Sequence, residues 1–212
     1  MLLGHKHTEL LYDDFARQPL LPNSFAQLGP GVSWLDLDGD GADELLIAAG
    51  RSGTTGAFRY SGGRFAPVNL GLPPAAGDQT TILQVPDGKR GGGSILLIGQ
   101  SSYEVGSIPA SMAMPGVLAI PLDVRSRRSG AAATAISGDT ASVGPLALAD
   151  YDRNGTLDLF VGGRIYPGAY PLSPSSHLYH NDGAGRFVLD SANGAVLSHV
   201  GMVSAALWSD LN

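Results

Sequence analysis

The chain has 212 residues, of which 43% are hydrophobic, enough to exclude global disorder and to allow one or two domains with a sizeable core. A net charge of −6 argues against a nucleic-acid partner, and Arg125, Arg127 and Arg128, the one basic cluster, read as a solvated loop. Glycine and proline make up 44 of the 212 residues and cysteine is absent, which favours turns and short strands and excludes disulfides and thiolate zinc sites.

Residues 1–31 read as a lead-in or linker. MLLGHKHTEL lacks the charged and apolar regions of a signal peptide, and no apolar run reaches the ~20 residues of a membrane span. His5, His7 and Glu9 could supply zinc ligands from one face of a strand, or belong to a flexible terminal segment.

Val32-Ser33-Trp34-Leu35 reads as a strand. DLDGDGADE follows at 36–44 and runs into Leu45–Ala49, a short apolar strand. Asp36, Asp38 and Asp40 occupy positions 1, 3 and 5 of this turn, Gly41 position 6, Ala42 position 7 and Glu44 position 9. Asp43, at position 8, reads as an outward, solvated carboxylate. Phe58–Tyr60 and Arg64-Phe65 flank Ser61-Gly62-Gly63 as a hairpin.

A second copy starts at Pro86 and leads into Ile95–Gly99. Gly91 holds position 6, but positions 1, 3, 5 and 9 are Pro86, Gly88, Arg90 and Ser94, so no metal is expected there. Gln100–Gly116 follows as a long irregular insertion. The third copy, after Leu146–Ala149, is DYDRNGTLD at 150–158. Its positions 1, 3, 5, 7 and 9 are Asp150, Asp152, Asn154, Thr156 and Asp158, and Gly155 is at position 6. Leu159–Val161 reads as the next strand, and Arg164–Ser176 as a Pro-rich insertion. Leu178–His180 and Arg186–Val188 form a hairpin around an Asn-Asp-Gly turn, with His177 and His180 read as surface positions. A fourth copy begins with Ala205–Ser209, then Asp210 and Asn212 at positions 1 and 3.

The turns start at 36, 86, 150 and 210, intervals of 50, 64 and 60 residues. Such a period implies one supersecondary unit per repeat. A strand on each side of the turn plus a hairpin gives about four strands per unit. The expected fold is all-β: antiparallel four-stranded blades of a partial β-propeller, about three to four repeats. The units run over 32–77, 78–140, 141–200 and, as the start of the next, 201–212. The two insertions are expected on one rim, as recognition loops or plain connectors.

Asp, Asp and Asp or Asn at alternate positions present successive oxygens to the inside of a curled turn. Gly at position 6 allows the bend, the carbonyl of position 7 can face the centre, and the acid at position 9 closes the cage. An all-oxygen, multiply charged, flexible set is hard-cation chemistry, so Ca2+ is expected rather than zinc. An EF-hand would need a Glu at position 12; Ile47 and Val161 stand there instead.

The pattern Asp-x-Asp-x-Asp/Asn-Gly-x-x-Asp/Glu before an apolar strand resembles the FG-GAP/VCBS repeats of integrin-α-like β-propellers. DDFARQPLLP at 13–22, QLGPG at 27–31 and GGRIYPGAYP at 162–171 resemble bacterial relatives of cartilage acidic protein and of ASPIC/UnbV-containing proteins. The resemblance implies a secreted, periplasmic or cell-surface protein with bound calcium and a protein or glycan ligand; it implies no reaction. Glu44 departs from the usual Asp, and the second turn lacks its ligands. The chain is expected to be a fragment, or a partial propeller whose open blade edges favour self-association. Three functional classes stay open: a binding module, a propeller hydrolase or lyase with a site in the central channel, and a structural spacer. No nucleophile elbow, dinucleotide fingerprint or phosphate loop occurs.

Overall fold

Whether a strand in this chain has one buried face or two decides how it packs. The structure, a computed structural model, describes residues 4–27, 29–87, 93–123 and 125–210. Sheet A consists of β1 (Val32–Leu35), β2 (Glu44–Ile47), β3 (Gly56–Ser61) and β4 (Arg64–Pro67), hydrogen-bonded in that order. Sheet B follows with β5 (Asp78–Pro86), β6 (Ser94–Ser101) and β7 (Val117–Asp123). Two short strands, β8 (Arg128–Ser129) and β9 (Ala133–Ile136), both pair with β7, so the middle sheet has five strands rather than four. Sheet C repeats the simple order with β10 (Ser142–Ala149), β11 (Asp158–Ile165), β12 (His177–Asn181) and β13 (Phe187–Leu189). Every pairing is antiparallel. The all-β class is therefore as the sequence predicts. None of the three sheets closes, and the described residues form no ring.

The sheets stack face to face because β6 is apolar on both sides. Leu96 and Ile98, both fully buried, point into a core shared with Leu46, Ala48 and Ala57 of sheet A. Leu97, one residue out of phase, points into a second core with Leu146, Leu159 and Val161 of sheet C. This explains why β6 reads as an unbroken apolar run rather than an alternating one.

The first strands of the sheets also lie side by side. The Ser33 hydroxyl donates to the Ile82 carbonyl (2.6 Å), and the Leu146 N–H donates to Thr81 Oγ1 (3.3 Å). Gly31 permits this approach: a Cβ there would stand 2.2 Å from the Thr80 carbonyl oxygen. At the far side of sheet C, residues 199–210 form no strand, but the Val203 N–H donates to the Gly163 carbonyl (2.9 Å) and Trp208 stacks on Tyr151. On the outer face of sheet A, Leu45, Ile47 and Phe58 are buried, with His5 edge-on to Phe58, while Trp34 (52% exposed) and Tyr60 (55%) stand open to solvent.

The lead-in is anchored rather than loose. Asp13 caps a single helical turn, α1 (Asp14–Arg17), by accepting from the Phe15 and Ala16 N–H groups. Buried Asp14 accepts from Ser24 Oγ and the N–H groups of Phe25 and Ala26. Arg17 donates to the carbonyls of Tyr103 and Val105 in one insertion and of Pro167 in the other. The first insertion contains a six-residue helix, α2 (Ile108–Ala113), where the sequence suggested an irregular segment. Its signals are a cap, Ser107 accepting from Ala110 N–H, and Pro109 at the helix start.

If β6 is the shared wall of two cores, Leu96→Ala should cost about 2–5 kcal/mol in denaturant unfolding. Leu189→Ala, on the half-exposed edge strand β13, should cost under about 1 kcal/mol. Equal losses would refute the two-faced packing.

Candidate metal centres

Both acidic turns occupy the same place in the fold, the link between the first and second strands of a sheet. The sheet A turn joins β1 to β2, and the sheet C turn joins β10 to β11. The corresponding link in sheet B runs from Pro86 to Ser94; its Gly88, Lys89, Arg90 and Gly91 lie outside the described residues, as does Asn212. Position 6 has a left-handed backbone in both acidic turns, with φ of +84° at Gly41 and +91° at Gly155. That conformation is costly for residues with a Cβ.

The position 1 carboxylates hold the turns in shape. Asp36 accepts from the N–H groups of Gly39 (2.7 Å), Asp40 (3.2 Å) and Gly41 (2.9 Å), and the Gly41 bond does most to hold its carboxyl below the usual range. Asp150 accepts from Asn154 N–H (2.9 Å) and Gly155 N–H (2.8 Å). Position 5 receives the N–H of position 7: Ala42 donates to Asp40 (2.9 Å), and Thr156 donates to Asn154 Oδ1 through both its N–H (2.7 Å) and its hydroxyl (2.5 Å).

Ligand atoms of Asp36, Asp38 and Asp40 lie within 4.8 Å of one another. Glu44 stands apart from that group. It is buried, accepts from Leu37 N–H (3.1 Å) and pairs with Arg59 Nε (2.7 Å). Arg59 sits directly across the β2–β3 ladder from Glu44 and also pairs with Asp38 and Asp40. Arg127, from the loop after β7, pairs with Asp38 as well. The basic cluster read as a solvated loop thus sends one member into the sheet A turn. Asp43 is exposed, as expected.

In sheet C the close group is Asp152, Asp158 and His180, again within 4.8 Å. His180 stands one step beyond the Leu159–Tyr179 pair, the place that Arg59 holds in sheet A. Its Nδ1 is 3.1 Å from Asp152 Oδ2 and 3.4 Å from Asp158 Oδ1. It is therefore half-buried against the turn rather than a plain surface residue. Asp158 is wholly buried; Oδ1 accepts from Asn181 N–H (2.8 Å), and Oδ2 has no hydrogen-bond partner. Among the described residues, Asp210 is exposed and joins no such group. His5 and His7 do not meet as a pair of ligands: His7 bonds to Glu9 (2.5 Å), and His5 lies edge-on to Phe58.

Sequence reasoning missed Arg59, Arg127 and His180 because spacing does not reveal them. Arg59 lies 15 residues from Glu44, His180 lies 22 from Asp158, and Arg127 comes from another sheet. It also missed Glu104, in the insertion after β6. Glu104 is 8% exposed and neither of its carboxylate oxygens accepts a hydrogen bond. Burial and then the nearby Asp78 charge push its carboxyl up to about 7, opposed by Arg51, whose Nε is 3.5 Å away. Close by, Asp78, Tyr103 and Arg164 line a small cavity of about 150 Å³ where β5, β10 and the lead-in meet.

No protein-family model and no curated protein matches the chain.

A carboxyl raised in the folded state binds protons more tightly there than in the unfolded chain. The folded state thus loses stability as pH rises from about 4.5 towards about 7 and stays penalised above that. Glu104→Gln should raise the melting temperature at pH 8 by roughly 4–8 °C and change it little at pH 4. The same shift at both pH values would show that the charge is not the cause.

Proposed function

We propose that this chain is part of a cation-stabilised FG-GAP/VCBS-type β-propeller, with Ca2+ as the expected ion, acting as a binding or scaffolding module outside the cytoplasm. The observation that carries the reading is the recurrence of one acidic turn, with its left-handed glycine, at the same strand link of two sheets of identical order. The buried, unpartnered Asp158 Oδ2 adds to it, since an ionised oxygen without a donor is costly to bury and calls for a positive partner.

The propeller part of the reading draws on three relations. Consecutive sheets stack face to face through shared cores. Their first strands run side by side. The segment after sheet C touches it as β5 touches sheet A: Gln79 N–H donates to the Ala49 carbonyl and Val203 N–H to the Gly163 carbonyl. Ala49 and Gly163 each stand thirteen residues past the first Asp of their turn. In this reading the exposed Trp34 and Tyr60 of sheet A would be covered by a neighbouring blade, or by a protein ligand or another copy of the chain. No helix of the described residues is long and apolar enough to cross a membrane.

Calcium would be held in sheet C by Asp150, Asp152, Asn154, Asp158 and the Thr156 carbonyl. In sheet A it would be held by Asp36, Asp38, Asp40, Glu44 and the Ala42 carbonyl after Arg59 swings aside. Because the ion would bind only the folded state, calcium at about a hundred times its dissociation constant should add roughly 2.7 kcal/mol, or about 5–10 °C in melting temperature. The test is a thermal melt of the full chain in excess chelator and in millimolar calcium. Asp150→Ala should lose part of the difference. Identical melts in the two conditions would refute the reading.

A further inference from the structure

The two turns differ in what faces them from the third strand. We propose that this difference makes the sheet C turn a mixed nitrogen–oxygen site for a late first-row divalent cation of the Co2+ or Zn2+ class, with His180 as its imidazole ligand. The inference builds on the reading of the turns as cation cages, and it changes which ion the sheet C cage selects.

In sheet A the cation is part of the chain. Arg59 is a permanent charge, and its planar fork contacts Asp38, Asp40 and Glu44 at once, with Arg127 adding a second guanidinium at Asp38. In sheet C the equivalent ladder position holds an imidazole. A neutral imidazole carries one lone pair on nitrogen, and that is a metal ligand rather than a counter-charge.

The geometry suits it. Ligands held about 2.1 Å from a tetrahedral ion stand about 3.4 Å apart. His180 Nδ1 is 3.1 Å from Asp152 Oδ2 and 3.4 Å from Asp158 Oδ1, and the three residues' ligand atoms form one close group. Asp158 is completely buried in that group, and its Oδ2 has no partner. Asp158 Oδ1 and both Asp152 oxygens each accept one hydrogen bond, from Asn181 N–H and from Asn154, and each keeps a second lone pair for an ion, with the fourth position left to water.

Calcium asks more of the same turn. It takes six to eight oxygens. Asp150 already accepts from two N–H groups, and Asn154 Oδ1 already accepts twice from Thr156. Each Asp150 oxygen keeps a lone pair, but Asn154 Oδ1 has both engaged, so recruiting it means breaking a bond that shapes the turn, and the nitrogen of His180 is of little use to a hard cation. A late transition ion gains from the nitrogen, since such ions prefer imidazole over additional carbonyl oxygens.

The test is calorimetric titration of the full chain with Co2+ and, separately, with Ca2+, in a background where His5 and His7 are both alanine. The expected result is Co2+ bound at least tenfold more tightly than Ca2+. His180→Ala should weaken Co2+ tenfold or more and Ca2+ less than twofold. His180→Gln, which offers oxygen for nitrogen, should do the same and guards against a folding defect in the alanine variant, as should an unchanged metal-free melt. Co2+ bound no more tightly than Ca2+, or Co2+ affinity unaffected by both His180 variants, would overturn the inference while leaving the calcium reading standing. Co2+ bound in a His180-dependent way with no calcium binding would support the inference and remove calcium as the ion of this module.

Discussion

A carboxylate buried where a strand begins must meet a positive charge, and much of this architecture follows from that constraint. Both acidic turns place an acid at position 9, on the first residue of the second strand, with its side chain shut away from solvent: Glu44 at 2% exposure and Asp158 at 0%. Bulk water cannot screen them there. Each sheet answers differently. Sheet A supplies Glu44 with a guanidinium from its own third strand, and a second guanidinium, from the neighbouring sheet's loop, goes to Asp38 at position 3. Sheet C supplies an imidazole and leaves one carboxylate oxygen unmatched. Sheet B has a small hydroxyl at the equivalent residue, Ser94, and so has no such acid to neutralise. The three solutions explain how one topology can repeat while its charge chemistry diverges.

The stacking of the sheets sets where those charges can sit. Because β6 is buried on both faces, side chains alternate between two cores with little room for polar atoms. Ionisable groups are pushed to the strand ends, where the turns begin. The same crowding brings the first strands so close that Gly31 stands against the Thr80 carbonyl, and Gly99 would place a Cβ 2.5 Å from Thr80 Oγ1. Larger residues at these points would part the sheets and separate the cores they share.

How much of this was legible in the sequence depended on range. The turns, their left-handed glycines and the two hairpins are local: Gly62 and Gly63, both at positive φ, announce the β3–β4 connection from four consecutive residues. Strand identity followed from short apolar runs with turn residues at each end. The partners of the turns were not legible, because cross-strand register depends on the length of the intervening loop, and Arg127 arrives from another sheet altogether. Glu104 was hidden for a related reason. It lies in a segment with no periodicity, and the fold buries it beside Arg51, a residue 53 positions earlier in the chain. The fifth strand of sheet B was missed because Arg128-Ser129 and Ala133–Ile136 are short and have little apolar alternation.

Arg17 carries a consequence for both insertions. A single side chain from the lead-in binds carbonyls of the insertion that follows sheet B's second strand and of the insertion that follows sheet C's second strand. Gln18 reinforces the second by exchanging hydrogen bonds with the Tyr170 backbone in both directions. Two loops that belong to different sheets are thereby joined into one stiff ledge through a segment that precedes both. Anything that grips one loop pulls on the other, and clipping the chain near its start would free the two together.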